Sequence, residues 1–242
     1  LRAGVNLAIC NFLEGDFANS KKYLLAASKI QEKTSSEFKN YKVFRKYLLN
    51  ILSWHEEKYY NGCDQKPDKT LYVIGDSHSL VSHQLHVQIS GSDVLCKAKL
   101  IKGCMQWHLG NHAKNQYKNQ LENIFSSLPK SSKVLLTIGE IDCRLGSGII
   151  KHKNKFPEKK IEEIIVTTVE NYLSFVLKNN SNYQHNVVIQ GVPCPNIDTV
   201  AYSEEKNTQL MEVIKKVNCE LINNSKKKGF RFLDVHKLTD RG

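Results

Sequence analysis

From Val5 to Tyr59 apolar residues recur three and four positions apart, whereas from Leu71 onward short apolar runs alternate with amphipathic stretches. The first pattern predicts helices over Val5 to Glu14, Phe17 to Gln31 and Glu37 to Tyr59, with Gly15-Asp16 as a break and no strand among them. The second predicts strands at 71–75, 94–101, 133–138, 186–192 and 230–235, separated by helices at 79–90, 112–127, 158–180 and 203–228. Five apolar strands alternating with helices imply an α/β fold: a doubly wound parallel sheet covered on both faces, preceded by a small all-α segment. The polar stretch Asn61 to Asp68, with Gly62 and Pro67, separates a helical segment at 1–61 from an α/β domain at 68–242.

Ligands of such sheets bind beyond the carboxyl ends of the strands, and the polar residues of interest fall there. The run Leu71-Tyr72-Val73-Ile74 stops at Gly75-Asp76-Ser77-His78-Ser79 and reads as strand, tight turn and helix. That places Ser77 at a helix N-terminus, where free N–H groups can hold a developing oxyanion. Two readings of Ser77 stay open from this stretch, a nucleophile and a helix cap. Lys102-Gly103-Cys104 follows the second predicted strand, Gly139-Glu140-Ile141-Asp142-Cys143-Arg144 the third, and Gly191-Val192-Pro193 the fourth.

In this order, over residues 69–242, the motifs resemble those of the SGNH (GDSL-type) hydrolases. The resemblance implies a flavodoxin-like five-stranded sheet with Ser77 as nucleophile, the N–H groups of Ser77 and Gly103 in the oxyanion hole, and Asp142 as a brace of the site. Family members carry Gly-x-Asn-Asp after the third strand, where this chain has Gly139-Glu140-Ile141-Asp142. Isoleucine cannot donate a hydrogen bond, so either Arg144 or another group completes the hole, or the hole is one donor short, a loss of roughly 10²–10³ in rate. The family's general base is the histidine of an Asp-x-x-His motif after the fifth strand. Asp234-Val235-His236 has one intervening residue instead of two, and a fifth strand lying three neighbours from the first is about 14 Å away at ~4.8 Å per strand. The chain therefore reads as lacking the expected Asp-x-x-His, with the base beyond Gly242. The Gly-x-Ser-x-Gly elbow of α/β-hydrolases is excluded, because Ser79 stands at its last glycine.

Asp76, His78, Glu140, Arg144 and His108 are the expected substrate-side residues. Asp76 also suits bracing of its own turn through backbone N–H groups, and Glu140 suits pairing with Arg144. His83 and His86, three apart on a predicted helix, have no third ligand at a metal-binding spacing. No metal or organic cofactor is expected.

In the helical segment small residues, Ala8, Ser20 and Ala27, fall where paired helices would cross closely. With Leu7, Asn11, Gly15-Asp16-Phe17 and Leu24 they resemble one tetratricopeptide repeat followed by an extra helix, although Gly4 stands where the repeat has a large apolar residue. The resemblance implies a protein partner for these helices. A formal net charge of +11 raises nucleic acid as a partner, but Lys151-His152-Lys153-Asn154-Lys155 and Lys226-Lys227-Lys228 lack interleaved aromatics and a binding motif. They read as solvated surface at a loop and a helix end, with a field that attracts anionic substrates. No apolar run reaches the ~20 residues of a membrane span. Seven scattered cysteines without a Cys-x-x-Cys pair, and no leader pattern at the start, favour the cytoplasm. The expected activity is that of a serine esterase or acyl transferase, working through an acyl-enzyme on small acyl esters such as O-acetylated glycans. The competing expectation is a non-catalytic protein-binding module carrying a degenerate hydrolase domain.

Overall fold

The computed structural model describes residues 1–28, 36–59, 67–196 and 202–240. The boundary expected at Asn61 to Asp68 and the end of the second helix beyond Ser28 lie largely outside them. The chain divides into two compact units, residues 1–69 with 81–96, and residues 70–80 with 97–242.

The first unit holds α1 (Arg2–Glu14), α2 (Phe17–Ser28) and α3 (Ser36–Tyr59). Gly15 ends α1 with φ +84°, a left-handed cap that returns its N–H to the last turn. The small residues do sit at the crossing of α1 and α2: Ser20 Oγ donates to the Ala8 carbonyl at 2.8 Å, and a Cβ on Gly4 would lie 3.2 Å from Ala27 Cβ. Among the described residues no helix is long and apolar enough to cross a membrane.

The helix expected at 79–90 is not there. Ser77–Leu80 make one turn of 3₁₀ helix, and the chain then enters β2 (His86–Ile89), which pairs antiparallel with β3 (Ser92–Leu100). Ser90 and Gly91 carry positive φ, +51° and +75°, the backbone of a two-residue hairpin turn. Leu85, Val87 and Ile89 thus repeat with period two, a spacing that also fits a helical face once Leu80 and Val81 are counted with them. His83 and His86 accordingly share no helix: the His83 ring packs 5.2 Å from the Phe12 ring, and His86 Nδ1 bonds Asp93 Oδ2 at 2.7 Å across the hairpin.

The hairpin also makes the sheet six-stranded, in the order β2-β3-β1-β4-β5-β6, with β1 (Lys69–Gly75), β4 (Lys133–Thr137), β5 (Asn186–Gln190) and β6 (Arg231–Leu233). The sheet is therefore mixed rather than a purely parallel set of five. Pairs β1/β4, β4/β5 and β5/β6 are parallel.

In the second unit Ile74, Leu136 and Ile189 of the strands are fully buried with Phe125, Tyr172 and Leu221 of the helices. Those side chains come from α5 (Gln116–Ser127), α8 (Ile161–Asn180) and α9 (Glu204–Lys227), whose boundaries follow the expected 112–127, 158–180 and 203–228. Asn115 starts α5, its side chain accepting the N–H groups of Tyr117 and Lys118 at 3.0 and 3.1 Å. Four shorter helices were not foreseen: α4 (Gln106–Gly110), α6 (Glu140–Cys143), α7 (Gly148–Lys155) and α10 (Val235–Thr239). The lysine run 151–155 thus belongs to a helix and not to a loop.

Gly75 pairs with Thr137 where β1 ends, and a Cβ there would lie 2.2 Å from Thr137 Oγ1 and 2.4 Å from its carbonyl oxygen. Any side chain would force the strands apart beneath the site. Gly75→Ala is expected to lower the unfolding free energy by about 1–3 kcal/mol, read as a shifted urea midpoint at unchanged far-UV ellipticity.

Candidate active site

Asp76 organises the turn after β1. Its carbonyl accepts the backbone N–H of Ser79 at 3.1 Å and the Ser79 hydroxyl at 2.8 Å. Its Oδ1 accepts the His78 N–H at 2.9 Å and bonds His78 Nδ1 at 2.8 Å. The carboxylate is fully buried, and its Oδ2 has no hydrogen-bond partner among the described residues. The hydrogen bond that Asp76 accepts raises the pKa of His78 above the ordinary imidazole value, against burial, which pulls it down. With Nδ1 fixed on the carboxylate, Nε2 is the imidazole nitrogen left for other chemistry. Ser77, between these partners, is half-buried.

The loop after β3 is held beside this turn. Ile101 N–H donates to the Gly75 carbonyl at 2.6 Å, and Cys104 N–H closes a turn on the Ile101 carbonyl at 3.0 Å. Gly103 occupies the third position of that turn with φ +73°, where a glycine is favoured.

Asp142 joins this loop to the one after β4. It is fully buried on α6 and accepts the N–H groups of Gln106 at 2.8 Å and Trp107 at 3.1 Å. Burial raises its pKa to about 7, against those two donors, which lower it. Gln106 returns the tie, its Nε2 donating to the Ile138 carbonyl at 2.8 Å. Its amide packs so tightly that a Cβ on Gly139 would sit 2.5 Å from it. Gln106 carried no sequence signal, since nothing local distinguishes a glutamine that bonds a carbonyl 32 residues away.

Glu140 and Arg144 pair with each other: Nε lies 2.9 Å from both carboxylate oxygens and a terminal guanidinium nitrogen 2.6 Å from Oε2. Arg144 is thus engaged, and Ile141 offers no side-chain donor. Ligand atoms of Asp76, His78 and Glu140 lie within 4.8 Å of one another. A cation there would compete with Arg144 for Glu140 and with the imidazole for Asp76, so the set reads as an internally paired charge cluster.

A narrow crevice runs over the carboxyl ends of β1, β4 and β5, lined by His78, Gly139, Glu140, Gln190, Gly191 and Pro193. Asn218 of α9 holds its far wall, accepting the Val192 N–H at 2.7 Å and donating to the Val192 carbonyl at 2.9 Å.

No protein-family model matches the chain, and no curated protein does. The likenesses found are to solved structures. An extracellular lipase from Streptomyces rimosus is 17% identical, with 70% of this chain and 81% of that one covered and a TM-score of 0.42. A phospholipase A1 from Streptomyces albidoflavus is 17% identical, covering 70% and 80%, with a TM-score of 0.39. A psychrotrophic esterase from Pseudoalteromonas is 12% identical, covering 69% and 77%, with a TM-score of 0.34. These likenesses give no residue a role; roles here rest on the geometry above.

Of the expected site residues His78 and Glu140 line the crevice, whereas Asp76, Ser77, Gly103, Asp142, Arg144 and His108 are not part of its lining. His108 borders a separate cavity with Trp107 and Met105; its ring stacks on Tyr117 at 4.0 Å, and its Nδ1 accepts the Met105 N–H at 3.2 Å. Burial lowers its pKa, so it is neutral at pH 7. His236 lies on α10, whose N-terminus is capped by Asp234 Oδ1 on the Lys237 N–H at 3.1 Å. Asp234 is thus committed to a helix cap.

Proposed function

We propose that the chain is a serine esterase or acyl transferase for small acyl esters, O-acetylated glycans among them. The observation that carries this reading is the Asp76–His78 pair on either side of a half-buried Ser77, a buried carboxylate bonded to Nδ1 of an imidazole that lines the crevice. That pair follows the logic of a catalytic triad: the carboxylate fixes the tautomer and steadies the imidazolium, and Nε2 takes the hydroxyl proton as Oγ attacks the acyl carbon. The leaving alcohol then takes the proton back, and water or a second alcohol resolves the acyl-enzyme. The Gly103 N–H, in the loop tied to Gly75, is the oxyanion donor of this reading, with Asp142 holding that loop.

One observation favours a second reading, a non-catalytic scaffold with the helices as a protein-binding arm: Ile141 brings no donor to the site. Turnover of p-nitrophenyl acetate by wild type and by Ser77→Ala separates the two. Turnover lost in the variant supports the esterase; turnover equal in both, or absent from both, supports the scaffold. Because the imidazole must be neutral to accept a proton, kcat/KM should rise with pH through a midpoint above the ordinary histidine value. His78→Gln should abolish that limb, and Ser77-dependent turnover that keeps the limb in His78→Gln would place the base elsewhere.

A further inference from the structure

The largest cavity among those described, about 670 Å³, opens between α4, α7 and α8; Asp142 lies on its wall, and neither Ser77 nor His78 lines it. Its size falls within the ~300–1,000 Å³ of small-molecule sites. Met105, Ile149 and Ile164 give it apolar wall, and Trp107, 49% exposed, stands at its edge. Lys151, Lys155 and Lys159 line the rim with one carboxylate, Glu163, and the buried Asp142 carboxyl, bonded to two backbone N–H groups, lies on the inner wall.

These cations are gathered rather than scattered. The Lys155 and Lys159 ammonium groups lie 5.3 and 5.0 Å from the centroid of one ring, Phe156. The His152 ring lies 4.7 Å from that same ring, and its Nε2 is 3.5 Å from Lys159 Nζ. Lys153 fixes the intervening turn by donating to the carbonyls of Pro157 and Lys159 at 2.6 and 2.8 Å. Among the described residues no ion pair joins Lys151, Lys155 or Lys159 to a carboxylate, and Glu162 is taken by Lys216 at 2.6 Å. Like charges held on one ring repel each other, and an anion beside them would relieve that repulsion.

We propose that this cavity binds an anionic amphiphile, an apolar chain or ring ending in one carboxylate or phosphate. The body would lie against Met105, Ile149 and Trp107, with the anion at Lys155 and Lys159. The neutral His108 supplies a further donor, because its Nδ1 already accepts a backbone N–H and its proton therefore sits on Nε2.

The test is calorimetric titration of the whole chain at low salt with n-octyl phosphate, inorganic phosphate and octyl glucoside. Octyl phosphate is expected to bind with one-to-one stoichiometry, at least about tenfold tighter than either control, and more weakly as salt rises. Lys155→Glu with Lys159→Glu, both exposed, should weaken it by about tenfold or more, whereas Ser77→Ala should bind as wild type does. Equal binding of octyl glucoside would reduce the site to an apolar cleft, and equal binding of phosphate would reduce it to surface charge. Either result, no saturable binding, or indifference to the charge reversal overturns the proposal. The readout is binding and not turnover, so it stands or falls separately from the esterase reading.

Discussion

Asp142→Ala is expected to destabilise the α/β unit by about 2–5 kcal/mol, because it strands two buried N–H donors at roughly 1–3 kcal/mol each. Those donors, on Gln106 and Trp107, start α4 beside the Gly103 turn. Asp142→Asn should be milder, because an amide oxygen can still accept one N–H while its NH₂ opposes the other. The native carboxyl also makes stability depend on pH. Its folded pKa, about 7, lies above the ordinary 3.8, so the folded chain holds the proton more tightly than the unfolded chain does. The contribution is therefore fully present below about pH 4, declines as pH rises, and is gone above about pH 7. Urea midpoints measured from pH 4 to pH 8 should show the wild-type advantage over Asp142→Asn shrinking as pH rises. An advantage that grows with pH would mean that the two backbone donors outweigh burial and hold the group ionised.

Ser77→Ala is expected to reduce kcat/KM on p-nitrophenyl acetate by at least about 10³-fold, leaving what the oxyanion donors and binding supply alone. His78→Gln should approach the same floor, since an unassisted hydroxyl is a poor nucleophile at neutral pH. Groups that act as a unit are not additive, so the double variant should be no worse than either single one. A double variant losing the product of the two single losses would show that Ser77 and His78 act separately. Asp76→Asn should lower the pH midpoint as well as the rate, because the hydrogen bond accepted by the Asp76 carboxylate is the main cause of the raised His78 pKa.

The strands near 71–75, 133–138, 186–192 and 230–235 were legible because each is a contiguous apolar run between polar breaks. The stretch 79–90 was not, since Leu85, Val87 and Ile89 fit a helical face as well as a strand once Leu80 joins them. The decisive signal was the adjacent Ser90-Gly91, which takes positive φ at both residues. The short helices α4 and α6 lie beyond local pattern altogether: α4 begins where a carboxylate 36 residues away caps it. The lysine run looked like loop because its spacing shows charge only, yet Gly148, with φ +56°, starts a helix there. In the site itself Asp76 was legible as a turn brace, since Asp bonds the N–H two residues on. The second bond, to the His78 ring, depends on a rotamer that no spacing encodes. Gln106 was silent for the same reason, and so was the gathering of Lys155 and Lys159 on Phe156.

The central claim is that Ser77 is a nucleophile activated by the Asp76–His78 pair, and active-site labelling reads it without any assumption about substrate. The native chain would be incubated with a fluorophosphonate and digested, and the adduct located by mass spectrometry, with His78→Gln and Ser77→Ala in parallel. The account predicts one adduct, on Ser77, forming much more slowly in His78→Gln and absent in Ser77→Ala. Native protein that leaves Ser77 unmodified, or labels it no faster than His78→Gln does, would contradict it and return Ser77 to a turn residue.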